Sequence, residues 1–162
     1  ISIVGSEMWR RARNHHYGAG FRETRKAESA SWSTEPAPRQ YGGLYAHREQ
    51  ETKAMVNLCT GFDGRSAFAF HSQGEEIYYA YGEHTPPVSA HMASLFASYC
   101  GYEVTAPSGL ASHGGFKDWF IDKLHRPGFT FEIGKGENPL PISDLLPVYQ
   151  QLKNTLIVAT TM

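Results

Sequence analysis

The 162-residue sequence predicts a layered α/β domain. Two observations carry that prediction. Short apolar runs rich in phenylalanine, "AFAF" and "FTFE", read as strands, and they alternate with segments of about 12 to 16 residues whose apolar positions recur at helical period. A chain of this length buries roughly 70% of the surface its unfolded form exposes, so a true core is available. Composition is 41% hydrophobic and 19% charged with a formal net charge of −1. That balance fits a globular protein and gives no support to a nucleic-acid or anionic-membrane partner, either of which favours a basic excess.

Residues 1–47 read as an irregular, loop-rich segment, with clustered charge and breaks at Pro36, Pro38, Gly42 and Gly43. Residues 48–162 read as the α/β core. "REQETKAMVNLC" places Met55, Leu58 and Cys59 on one helical face behind an acidic first turn. After an Asp63-Gly64 turn, Ala67 to Phe70 is apolar at every position, which predicts a strand buried on both faces.

"PPVSAHMASLFASYCGY" predicts a helix that starts after its prolines, buries Val88, Met92, Leu95, Phe96 and Tyr99, and closes at Gly101. "GGFKDWFIDKLHRPG" repeats the pattern, with Phe116, Trp119, Phe120 and Leu124 on one stripe and a Pro127-Gly128 stop. "FTFEIG" is the next strand. A last helix, "SDLLPVYQQLKNTLIVA", takes Ser143 as its cap and tolerates Pro147 only near its first turn. Cys59 and Cys100 imply neither a disulfide framework nor a CxxC motif, and both read as buried helical thiols.

Two strand ends carry chemistry. "FAFHSQG" ends its apolar run in His71, and "FTFEIGKG" ends its run in Glu132. In an open α/β sheet the ligand crevice lies beyond the carboxyl ends of the strands, so parallel strands here would aim an imidazole and a carboxylate into one pocket. An imidazole suits Zn²⁺, and a carboxylate beside the metal can take a proton from bound water. The plainer alternative for His71 is a hydrogen bond to a backbone carbonyl. For Glu132, an acid closing a buried strand costs free energy unless it is paired or functional.

Together these residues make the chain similar to the C-terminal half of a zinc carboxypeptidase of the carboxypeptidase A type. His71-Ser72 resembles the strand-end pair that supplies the family's third zinc ligand, Thr130-Phe131-Glu132 its general-base strand, and "SHGGFKDW" the turn and helix between them. "FHSQGEEIYY", "GGFKDWFI" and "FTFEIGKGENPLP" resemble the bacterial branch that cleaves γ-D-glutamyl-diaminopimelate bonds.

The resemblance implies a three-layer α/β/α fold with a mixed sheet, incomplete at its N-terminus, one Zn²⁺, a peptide substrate of muropeptide type and Glu132 as general base. "NHHYGAGF" resembles an altered form of the branch's substrate clamp, with Asn14 and His15 as carboxylate contacts; a solvated polar turn is the other reading. Ser72 counts with the substrate-binding residues. Lys117 is read from its position after Gly114-Gly115, either as a partner for a substrate carboxylate or as a solvated surface lysine.

Departures from the family pattern are equally specific. The HxxE motif that supplies the first two zinc ligands is missing, since His47 is followed three residues on by Gln50 and His84 by Pro87. Leu110 stands where many relatives carry a mobile tyrosine. One zinc ligand of three is thus identifiable, and the rival reading is a truncated or inactive piece that binds muropeptides without cutting them. A third reading is a small α/β binding module without metal.

The chain opens on Ile1 rather than Met, "ISIVGSEMWRRAR" reads as neither a signal peptide nor an anchor, and no apolar run reaches the roughly 20 residues of a membrane span. The compartment stays open between cytoplasmic and secreted. A missing N-terminal half would also expose a sheet edge and favour self-association.

Overall fold

In a computed structural model of the chain, the residues described are 17–20, 46–47, 50–107 and 113–162. They fall into two compact units, one comprising Ile1–Asp63 with Ser108–Trp119, the other Gly64–Pro107 with Phe120–Met162. Most of the segment expected to be irregular, together with Asn14, His15 and Leu110, lies outside the described residues.

In the first unit, helix α1 (Gln50–Gly61) forms where the acidic first turn was expected. Its inward face differs from the expected one. Thr52 is buried and Val56 and Cys59 are half-buried, while Met55 and Leu58 are exposed. The stripe at 52, 56 and 59 follows the i, i+4, i+7 spacing of one helix face, so a threonine replaces Met55 in the contact surface. Elsewhere in this unit Tyr17 is buried with its ring centroid 5.4 Å from Phe116 and 5.8 Å from Trp119. The Tyr17 N–H donates to Gly114 O at 3.2 Å and the Gly114 N–H to Ala19 O at 2.8 Å. Tyr17 and Ala19 are therefore packed and paired, which corrects the solvated-turn reading for this part of the segment.

The second unit is built on a four-stranded mixed sheet in the order β1-β4-β2-β3, where β1 is Ala67–His71, β2 Glu76–Tyr78, β3 Glu103–Val104 and β4 Gly128–Glu132. β1 runs parallel to β4, and β2 antiparallel to it. The sequence reading missed β2 and β3, which at three and two residues are too short to show a period. The strand buried on both sides is β4, whose first four residues are all buried. β1 is an edge strand among the described residues, half-buried along its length with Phe70 46% exposed. The expectation for β1 is thus corrected: a fully apolar run marked an edge strand lying next to the buried one.

Phe129 and Phe131 point to one face of the sheet, with Ile77 opposite Phe131 and Phe68 opposite Phe129. There they meet Met92, Ala93, Phe96 and Cys100 of α2 (Val88–Cys100) and Leu152 of α4 (Leu145–Ala159). The buried Thr155 hydroxyl of α4 donates to Phe96 O at 3.2 Å, fixing one helix against the other. α2 closes as expected at Gly101, which adopts φ 76° and returns its N–H to Ala97 O. Its buried face runs through Ser89, Met92, Ala93, Phe96 and Cys100, leaving Val88 and Tyr99 nearly half exposed. Of the two thiols, Cys100 is buried and Cys59 only half-buried.

Helix α3 (Phe116–Leu124) carries the division between the units after Trp119. Trp119, Phe120 and Ile121 are buried, and the helix ends with His125 at φ 53°, while Gly128 opens β4 instead of serving as the stop. α4 follows a 3-10 turn at Ile142–Asp144, with Asp144 in the cap position and no side-chain cap hydrogen bond. Ser143 donates to the Asp144 carboxylate instead, which corrects its expected capping role. Pro147 sits in the first turn of α4, where its missing N–H has no partner to lose. Among the described residues no helix is long and apolar enough to cross a membrane.

Because Phe129 is fully buried at the centre of this core, Phe129→Ala should lower unfolding stability by about 3–5 kcal/mol. Urea titration followed by circular dichroism measures it, and a loss below about 1 kcal/mol would show that the core closes over the cavity.

Candidate active site

The parallel pairing of β1 with β4 sets His71 directly opposite Glu132, and the antiparallel pairing of β2 with β4 sets Glu76 opposite the same Glu132. Cross-strand partners project to the same face of a sheet, so an imidazole and two carboxylates stand in a row across three neighbouring strands. Tyr78 lies two residues beyond Glu76 on that face, and its hydroxyl donates to Glu76 Oε2. This face is opposite to the one that carries Phe129, Phe131 and Ile77. The parallel arrangement assumed for the two strand ends is the one the fold adopts.

Backbone contacts hold the row from behind. The Ile133 N–H donates to His71 O at 2.7 Å and the Gly74 N–H to Gly134 O at 2.9 Å, tying the ends of β1 and β4 together. A Cβ placed on Gly74 would lie 3.5 Å from Glu132 Cβ and from Glu76 Cδ, so the turn passes closely over both acids. The Asn138 side-chain amide donates to Ser72 O at 2.7 Å. Ser72 itself is exposed and forms one wall of an apolar pocket of about 270 Å³ with Ile133, Leu140, Pro141, Leu145 and Val148.

Electrostatics follow from this crowding. Burial, and then the neighbouring Glu76 charge, push the Glu132 carboxyl above the ordinary 4.5. Burial lowers the His71 imidazole below 6.5, favouring the neutral form that can ligate a metal. Tyr78 is raised by burial first and then by its bond to Glu76, so it remains a donor at neutral pH. Neither Glu76 nor Glu132 has a cationic partner among the described residues. Lys135 stands 2.7 Å from Glu75 instead.

The other predicted residues are distributed differently. Lys117 belongs to the first unit, is 5% exposed, and holds its Nζ 2.6 Å from Asp118 Oδ1, which corrects the solvated reading. Burial still raises the Asp118 carboxyl despite that ammonium, and its Oδ2 accepts the Gly115 N–H at the helix start at 3.3 Å. Glu76, Tyr78 and Asn138 escaped the sequence reading. The signal available for the first two was the Glu-x-Tyr alternation inside "EEIYY", which places both on one face of a strand.

Catalytic zinc normally takes three protein ligands. Among the described residues no group of three His, Cys, Asp or Glu side chains is arranged to hold a metal ion. His71 is a chemically suitable single donor, so the described residues by themselves do not fit a complete zinc site.

The family model described as zinc carboxypeptidase matches residues 4–155. The chain is 40% identical over 124 residues to "Gamma-D-glutamyl-L-diamino acid endopeptidase 1" of Lysinibacillus sphaericus, covering 76% of this chain and 31% of that protein. It is 25% identical to human carboxypeptidase A1, over 90% of this chain and 41% of the relative. The carboxypeptidase A structure from Helicoverpa armigera superposes with a TM-score of 0.66 at 14% identity, over 93% of this chain and 41% of that one. The fold is thus shared, and the chain spans about a third of the length of the bacterial relative.

Since Glu132 is raised first by burial and then by Glu76, its carboxyl should titrate above 4.5 in a carbon-detected NMR titration, and Glu76→Gln should move it down. A raised folded-state value contributes stability below the unfolded value that is lost as pH rises through the folded one. Glu132→Gln should accordingly gain stability relative to the wild type as pH rises above 4.5 in urea melts. Unchanged titration in Glu76→Gln would show that the two charges do not interact.

Proposed function

The chain belongs to the zinc carboxypeptidase family, and from that premise we propose that its sheet serves the hydrolysis of cell-wall-type peptides. The bond would be the γ-D-glutamyl to diamino acid linkage, or the one that releases a C-terminal residue. The observation that carries this reading is the register that stands His71 beside Glu132 at the carboxyl ends of β1 and β4. Glu132 is the proposed general base: its carboxylate takes a proton from the attacking water and returns it to the leaving amine. Burial and the Glu76 charge raise its carboxyl above the ordinary value, which makes it a stronger base than an exposed glutamate.

His71 is the proposed zinc ligand. Ser72, Asn14 and His15 are proposed substrate contacts, and for Lys117 the same role requires its ammonium to exchange Asp118 for a substrate carboxylate. A second reading, a chain that binds muropeptides without cutting them, is favoured by one observation: the described residues hold no three-donor metal group. The side of β1 that no strand covers among the described residues adds a proposed route to self-association by strand pairing.

Incubation of the chain and zinc with L-alanyl-γ-D-glutamyl-diaminopimelate separates the readings. Cleavage that falls by about two to four orders of magnitude in Glu132→Gln, with peptide binding retained, supports the peptidase. Binding without cleavage supports the second reading, and neither binding nor cleavage removes both. Sedimentation over a range of concentrations should show dimers or larger species if β1 pairs between chains, and a monodisperse monomer throughout would exclude that pairing.

A further inference from the structure

We infer that His84 and His125 form a metal site separate from His71, which takes a transition cation such as Cu²⁺, Ni²⁺ or Zn²⁺ on two imidazoles and water. The site is independent of the peptidase reading. Both residues belong to the second unit, His84 in the 3-10 turn Gly82–His84 that follows β2 and His125 directly after α3. Their ring centroids stand 4.4 Å apart with the planes at 72°, and both residues are exposed. Two imidazoles bound side by side to one ion, through bonds of about 2.0–2.1 Å, hold their centroids roughly 4.5–5 Å apart, so this pair needs little movement to share a cation.

A carboxylate orients one of the donors. His84 Nδ1 lies 3.1 Å from Asp122 Oδ1. An ionised carboxylate only accepts, so Nδ1 carries the proton and Nε2 of the neutral ring keeps the lone pair that a metal takes. Histidine ligands are commonly held in this way, by a carboxylate on the other ring nitrogen. Lys123 Nζ stands 2.8 Å from Asp122 Oδ2, so the carboxylate orients rather than ligates, in keeping with the lack of a three-donor group among the described residues. The backbone adds an independent sign. His125 adopts φ 53° and donates its N–H to Ile121 O at 3.0 Å, closing α3 in a left-handed conformation where glycine is the usual residue. Strain of this kind concentrates at ligand sites. A cation shared by the two rings ties the turn after β2 to the end of α3 and stabilises the folded chain that binds it.

Calorimetry with Ni²⁺ tests the site on the full chain and on His84→Asn, His125→Asn, Asp122→Asn and His71→Ala. Asparagine tolerates the left-handed backbone at position 125, and both histidines lie outside the core, so these variants keep the fold. Affinity should fall at least about tenfold in either histidine-to-asparagine variant and by about tenfold to a hundredfold in Asp122→Asn, while staying within about twofold in His71→Ala. Substoichiometric Cu²⁺ should broaden the NMR signals of the His84 and His125 rings before those of the other histidines. No binding by the wild type, binding that survives all three asparagine replacements, or broadening that begins at His71 or another histidine overturns the site.

Discussion

A strand between two neighbours can serve two purposes only if its side chains alternate strictly, and β4 depends on that constraint. Phe129 and Phe131 enter the core under α2 and α4, whereas Thr130 and Glu132 turn to the other face. Backbone pairing on both sides, parallel to β1 and antiparallel to β2, removes the freedom to rotate that alternation. The phenylalanines anchor the register energetically, since exposing them would forfeit several kcal/mol of burial. The position of the carboxylate is therefore set by apolar packing on the opposite side of the sheet.

The same arrangement explains why an electrostatically unfavourable cluster persists. Two carboxylates on adjacent strands repel, and partial burial makes Glu132 harder to keep ionised. The aromatic packing of Phe68, Phe96, Phe129 and Phe131 lies immediately behind the strands that carry them, with ring centroids 5.2 to 6.1 Å apart. Such contacts supply the surplus stability that a strained functional face draws on. Core and candidate site share a strand, and the stronger of the two dictates geometry to the weaker.

Much of this was legible because the chemistry stands at strand ends. "FAFHS" and "FTFE" announced two strands, and placing His71 beside Glu132 needed only that they be parallel. Burial was harder to read. α1 turns inward a face offset from Met55 and Leu58, with Thr52 buried, and in α2 Ser89 joins Met92 and Phe96 on the buried face while Val88 is exposed. Periodicity counts apolar residues, but packing selects the face whose small residues allow close approach. The solvated alternative for Lys117 failed for a related reason: its ion pair with Asp118 joins adjacent residues whose shared burial no charge pattern reveals. Glu76 was missed because β2 is too short to show a period.

The two-sided pairing of β4 also bears on how such a chain can change over time. Point substitutions in β4 or β1 alter one side chain and leave the rest in place. A single-residue insertion or deletion upstream within either strand would instead carry the histidine or the glutamate to the phenylalanine face, or move one past the other. Genetic variation of the two kinds should therefore be tolerated very unequally: the spacing between Ala67 and His71, and between Gly128 and Glu132, is fixed far more tightly than the identities of the residues that fill it.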